Sequence, residues 1–433
     1  MVTIALALAV SASTPFHQQQ VNDLEKIIEL SGRQPELLFR LADLRMEEAS
    51  GAKKAIALLA ELSQEHPDFA RADEVLFFLG KALLDTGDER RAVVAFHRLI
   101  ARHPQSRFVA DSHFALGEHL FAHSKGRRDW LTRALASYAG ASGPEAIYKQ
   151  GWCLLNLGDF AGAQEKFRQL VSLAGPRATD AERDFVRAYE KGGGKAAGAQ
   201  AALETLGVGS RRRALTEMLA KLYRDDGFDG EAALTWQALI REQPRAKEAL
   251  GFQQQLIESL VRMGKKPLVI TQVQRLVTMA AEIEGADVSA AEPLLAGLAT
   301  GWHSECRKTQ EDGCLTAPGA LYEAYLALFP KAPRAYELRF YRAELLYAAG
   351  DFALAAEGYR SVVDRDVACK TNGGCEAGRF LEAAAWGEIK ARDALELASI
   401  PQQGSAPAPW FRGQAASMSV RAKSLNRPPR VRL

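Results

Sequence analysis

The chain has 433 residues, 47% of them hydrophobic, and its 55 Lys and Arg nearly balance its 53 Asp and Glu, for a formal net charge of +2. A compact protein of this length divides into domains of about 100–200 residues, whereas a repeat array extends its core by stacking. The charge balance argues against a dedicated nucleic-acid binder, which needs cationic excess to displace counterions from phosphates.

The N-terminal sequence is MVTIALALAVSAS. Val2 to Val10 form an apolar run of signal-peptide length, too short to span a bilayer, and Val10-Ser11-Ala12 supplies small residues suited to cleavage. No Lys or Arg precedes the run, so a buried first helix competes with the signal reading. Export is expected, with residues 1–15 as the signal segment. Nothing later reaches about 18 uninterrupted apolar residues, so no membrane span is predicted.

From residue 16 to 175 a template recurs. Leu79-Gly80, Leu83, Gly87-Asp88, Ala92, Phe96, Leu99 and Pro104 fall at offsets that Gly151, Leu154, Gly158-Asp159, Ala163, Phe167 and Leu170 repeat. Fainter copies cover Glu36 to Pro67 and, with extra residues near Lys125-Gly126, Leu116 to Ala141. Each element has a physical reason. The small residue after leucine admits a second helix at close range. The turn glycine accepts the left-handed conformation that ends a helix. The following Asp suits the start of the next helix. The alanine and the aromatic four residues on share one face, and the proline stops the second helix.

Residues 176–300 carry the pattern less evenly. Leu219-Ala220, Tyr223, Gly227, Ala232, Trp236, Leu239 and Pro244 form a clear copy, but the stretches around it read as helix pairs of irregular length. Gly192-Gly193-Gly194-Lys195 lacks the preceding strand and the following Ser or Thr of a phosphate loop, so a linker is predicted. Residues 301–398 return to the template at Ala343, Leu346, Gly350-Asp351, Ala355, Tyr359 and Val362, then add an amphipathic helix with Phe380, Leu381, Ala384, Ala385 and Ile389 on its apolar side. Residues 399–433 are rich in Pro, Gln, Gly and Ser and end in Arg421, Lys423, Arg427, Arg430 and Arg432, a basic tail predicted to be disordered.

These residues, at a period of about 34, resemble the tetratricopeptide repeat family. The resemblance implies an all-α fold, a right-handed superhelical solenoid of antiparallel helix pairs. The stretch from Cys306 through LYEAYLALFPKAPRAYELRFYRAELLYAAGDF also looks like the tetratricopeptide proteins of bacterial envelope machines, of gliding-motility and Tol–Pal-associated type.

In that family the first helix of each pair lines a concave groove. The inward positions, one helical turn apart, are here Phe77 and Lys81, then Tyr148, Trp152 and Asn156, then Lys221, then Phe340 and Glu344. Mixed aromatic and charged residues suit a peptide or helix segment of another protein, although aromatics at helical spacing are more often core. Chaperone-binding members clamp a peptide carboxylate with Lys and Asn. Phe77 and Tyr148 stand at the lysine place and Lys81 and Trp152 at the asparagine place, which puts that mode in doubt.

Little catalytic chemistry is legible. No Gly-x-Ser-x-Gly elbow occurs and no carboxylate pair stands out as acid and base. His119 and His123, four residues apart on a predicted helix, have no obvious third ligand beyond nearby His113 or Asp111, and a solvated face is the reading adopted. Cys153 reads as a buried apolar residue. Cys306 with Cys314, and Cys369 with Cys375, form local pairs that fit disulfides in an exported chain, with free thiols or a zinc site including His303 as the other options. The expected function is a non-enzymatic scaffold of a bacterial cell-envelope complex, periplasmic and without metal, cofactor, nucleic acid or small-molecule substrate, its partners being other proteins and its envelope association peripheral. The alternative is a cytoplasmic tetratricopeptide regulator or sensor module.

Overall fold

The structure, a computed structural model, describes residues 15–48, 50–372 and 378–399. Among these residues every regular element is a helix. The first ten are α1 (Pro15–Ser31), α2 (Pro35–Glu47), α3 (Ala52–Glu65), α4 (Ala72–Asp85), α5 (Glu89–Arg102), α6 (Val109–Ala122), α7 (Arg128–Gly140), α8 (Pro144–Leu157), α9 (Phe160–Ser172) and α10 (Ala178–Lys191). They are followed by α11 (Ala196–Glu204), α12 (Ser210–Asp225), α13 (Asp229–Glu242), α14 (Glu248–Arg262), α15 (Lys266–Glu282), α16 (Glu292–Thr309), α17 (Thr316–Leu328), α18 (Ala335–Ala349), α19 (Phe352–Asn372) and α20 (Leu381–Ser399). A 3-10 turn, Ser289–Ala291, precedes α16. No described helix is long and apolar enough to cross a membrane.

The described chain forms two compact units. One comprises residues up to 244 together with 255–264, and the other comprises 245–254 and the residues from 265 on. In the first, consecutive helices from α1 to α10 pack each on the next, and the short α11 packs on α12 and α13. In the second, α17 packs on both α15 and α16, and α18, α19 and α20 follow as neighbours.

The repeat template acts at three points in each pair. The turn glycines Gly87, Gly158, Gly227 and Gly350 all have left-handed φ, between 81° and 85°. Asp88 and Asp159 cap the helices that follow by accepting from the backbone N–H of Arg91 and Gly162. The small residue lies against the aromatic of the paired helix. A Cβ built on Gly80 would lie 2.6 Å from the Phe96 ring, and one on Gly117 or Gly151 equally close to Tyr138 or Phe167. Those rings, with Trp236 and Tyr359, are among the largest fully buried side chains of the described residues. Because Gly158 must hold φ near 82°, Gly158→Val is expected to cost about 1 kcal/mol or more through the left-handed conformation. A denaturant midpoint equal to that of the parent chain would remove the cap from the account.

The expected linker at Gly192 to Lys195 is a tight packed turn. Gly193 has a left-handed φ of 75°, and the Gly194 carbonyl accepts the Tyr223 hydroxyl at 2.6 Å. The last amphipathic helix needs correction in detail. α20 starts after Phe380, and Ile389, assigned to its apolar stripe, is 49% exposed, so the buried line runs through Ala384 and Ala391.

Candidate partner-binding face

The predicted groove positions fall into three settings. On α4, Phe77 is half-buried and stacks on Phe108 with centroids 4.6 Å apart, while Lys81 is exposed with its ammonium 5.9 Å from the Phe77 ring. On α12, Lys221 is exposed and pairs with Glu217 at 2.7 Å, a contact one helical turn long. On α18, Phe340 contradicts the expectation. It is 8% exposed and stacks on Phe380 at 4.3 Å within the second unit's core. The position that points outward in α8 is covered here by the chain entering α20, which supplies Phe380. Glu344 is exposed and accepts the hydroxyl of buried Tyr359.

The α8 positions form the best-developed face. Tyr148 and Trp152 are half-buried and meet edge to face, centroids 6.5 Å apart, and Asn156 is exposed one turn further, its amide donating to the Trp152 carbonyl at 2.8 Å. Sequence reasoning missed what sits opposite. Asp184 of α10 is only 2% exposed and accepts the Tyr148 hydroxyl at 2.8 Å. The Trp152 indole is turned to the same carboxylate. Arg187 reaches Asp184 at 3.4 Å and lies 5.7 Å from the Trp152 ring. Burial raises the Asp184 carboxyl above its ordinary range, and the Tyr148 hydroxyl and Arg187 oppose that by favouring its charged form. The result is a pre-ordered aromatic edge beside a charge pair.

A second feature runs through several junctions. An arginine before or at the start of a first helix reaches back to a glutamate near the N-terminal end of the preceding one. Arg71 pairs with Glu36, Arg107 with Glu74, Arg177 with Glu145, Arg211 with Glu182 and Arg379 with Glu337. Arg177 is bidentate, at 2.9 and 2.7 Å, and its guanidinium lies 4.8 Å from the Tyr148 centroid. The Glu145 hydrogen bonds raise its already high pKa. Arg71 sits over Phe39 and Arg379 over Phe380 in the same manner. Partly exposed pairs of this kind contribute about 0–1 kcal/mol each, so they add little to stability. Three of these pairs, at Arg71, Arg107 and Arg177, lie 32–35 positions from their glutamates, near the repeat period, but charges on helix ends are common enough to hide the recurrence.

Cys306 and Cys314 are bonded in the structure, Cα atoms 5.4 Å apart, across the turn joining α16 to α17. The zinc option for these sulfurs is thereby replaced, and His303 instead places Nδ1 3.1 Å from the Tyr322 hydroxyl. Cys153 is a buried free thiol whose pKa burial pushes up to about 12, making it inert. The pairing of Cys369 with Cys375 lies outside the described residues, since Cys375 is not among them.

Residues 74–106 and 145–174 match the tetratricopeptide repeat family model. These segments are tetratricopeptide repeats. They contain α4–α5 and α8–α9, the helix pairs that carry Phe77, Lys81, Tyr148, Trp152 and Asn156. Tetratricopeptide repeats imply a protein–protein interaction scaffold as the coarse function. No curated protein matches the sequence significantly. Among solved structures, the chain is similar to the C-terminal part of a tetratricopeptide repeat-containing protein from Cytophaga hutchinsonii, at 13% identity over 75% of this chain and 94% of that one, TM-score 0.35. It is also similar to a tetratricopeptide repeat protein from Parabacteroides merdae (13% identity, 86% and 99% covered, TM-score 0.26) and to yeast Tom70 (13%, 90% and 94%, TM-score 0.24). Scores this low carry no inference about partners.

Proposed function

We propose that this chain is a non-enzymatic scaffold of a bacterial cell-envelope complex that binds a peptide or helix segment of another protein along the α8 face. The observation that carries the binding mode is the Tyr148–Trp152 edge held by Asp184 and Arg187 beside exposed Asn156. Aromatic and arginine side chains in part-desolvated positions are the usual anchors of such contacts. The export-type N-terminal run and the Cys306–Cys314 pair support an oxidising compartment.

Trp152→Ala is expected to weaken a specific partner by more than about 1 kcal/mol, roughly fivefold or more in Kd, as a groove anchor does. Binding measured alongside a thermal melt separates loss of contact from loss of fold. Unchanged affinity in a folded variant removes this face from the proposal. For the compartment, fractionation of tagged protein is combined with thiol counting after denaturation, because Cys153 is shielded in the native state. Periplasmic protein with Cys306 and Cys314 oxidised supports the reading, whereas cytosolic protein with every thiol free sinks it and favours a cytoplasmic regulator.

A further inference from the structure

The junction between α5 and α6 gathers three metal-ligating side chains that the sequence separates. Glu89 opens α5, while His119 lies in the last turn of α6 and His123, four residues on, is its C-cap. The Glu89 Oε2 atom is 3.1 Å from His119 Nδ1 and 3.1 Å from His123 Nε2, and the three ligand atoms all fall within 4.8 Å of one another. We propose that these residues bind a divalent zinc-type cation, with a fourth position left to water.

The geometry fits such an ion. Tetrahedral zinc with nitrogen and oxygen ligands at about 2.0–2.2 Å places neighbouring ligand atoms about 3.3 Å apart, close to the two separations found. A ligating histidine usually anchors its other ring nitrogen on a carbonyl or carboxylate, which fixes the tautomer. His123 does so: its Nδ1 lies 2.9 Å from the His119 carbonyl, leaving the Nε2 lone pair toward Glu89. His119 Nδ1 is buried and makes no aligned hydrogen bond despite its nearness to Glu89, an orphaned polar atom that a cation satisfies. Trp130 of α7 lies 6.5 Å from each imidazole and closes one side of the site.

The site differs in its third ligand from the local alternatives His113 and Asp111. Glu89 comes from the second helix of one repeat and the histidines from the first helix of the next. A bound ion therefore ties adjacent repeats across their shared junction, a cross-link in addition to apolar packing.

The test uses the metal-stripped full chain titrated with Zn²⁺ by calorimetry. One equivalent is expected to bind at this cluster, with Glu89→Gln and His123→Gln each weakening it at least tenfold. Both side chains are 42–45% exposed, so the folds of the variants should match the parent by circular dichroism. Ni²⁺ is expected to quench part of the tryptophan fluorescence, and Trp130→Phe to remove that part while binding persists. Failure of the parent to bind zinc stoichiometrically, or unchanged affinity in either Glu89→Gln or His123→Gln, overturns the site and leaves a histidine–carboxylate contact only.

Discussion

Truncating Phe167 to alanine is expected to destabilise the first unit by about 4 kcal/mol. The ring is fully buried, and it fills the space that Gly151 leaves on the facing helix. Removing it loses both the transfer energy of the ring and the packing around the cavity it leaves, because α8 and α9 are held apart by other contacts and collapse only in part. The fit is testable from the other side. Gly151→Ala gains about 1 kcal/mol of helix propensity, yet its new Cβ would lie 2.6 Å from the Phe167 ring. Overpacking of this kind costs about 1–3 kcal/mol, so a net loss is expected in the parent and a smaller loss or a gain in a Phe167→Leu background. Denaturant unfolding of the four chains forms a double-mutant cycle. Additive effects would show that the two positions do not press on one another. A loss below about 1 kcal/mol for Phe167→Ala would show that the ring is not core.

Acidification is expected to destabilise the second unit through His303, by about 3 kcal/mol between neutral pH and about pH 4. The imidazole is 8% exposed, its ring stands edge-on to Tyr322, and burial, aided by nearby Arg307, lowers its pKa from 6.5 to about 4. The folded state thus disfavours the protonated ring, whereas the unfolded chain accepts the proton at its ordinary value. The stabilising contribution is complete above about pH 6.5 and is lost progressively as the pH falls toward about 4. Carboxylates titrate in part of the same range, so the informative quantity is the difference between the parent and His303→Gln. The parent's urea midpoint should fall more steeply from pH 7 to pH 4.5, and parallel pH profiles would rule His303 out as the cause. Cys306 lies one turn from His303 on α16, so the parent and variant should be compared in the same redox state.

Local chemistry was legible from sequence because it acts within one or two helical turns. Gly87, Gly158, Gly227 and Gly350 lie in the left-handed region that a turn of this kind demands, and Asp88 and Asp159 cap helices because a carboxylate at that offset reaches the free N–H groups of the first turn. The close helix approach expected at Gly80 and Gly151 is present, and the structure adds which side chains use it, the rings of Phe96 and Phe167. The α4 and α8 positions Lys81, Trp152 and Asn156 kept at least partial exposure for the same local reason.

What lay beyond one helix pair was decided by tertiary structure alone. Helical periodicity shows which residues share a face but not what covers that face, so Phe340, in register with Tyr148, is sealed by Phe380 from beyond the intervening helix. Asp184 was one acidic residue among many until the fold set it under Tyr148 and Trp152 and took it out of water. Glu89 lies 30 positions before His119 and marked only the start of a helix, because a ligand set drawn from two helices has no sequence spacing to betray it. A face that touches its own repeat is specified locally, whereas one that touches the next repeat depends on how the helices stack.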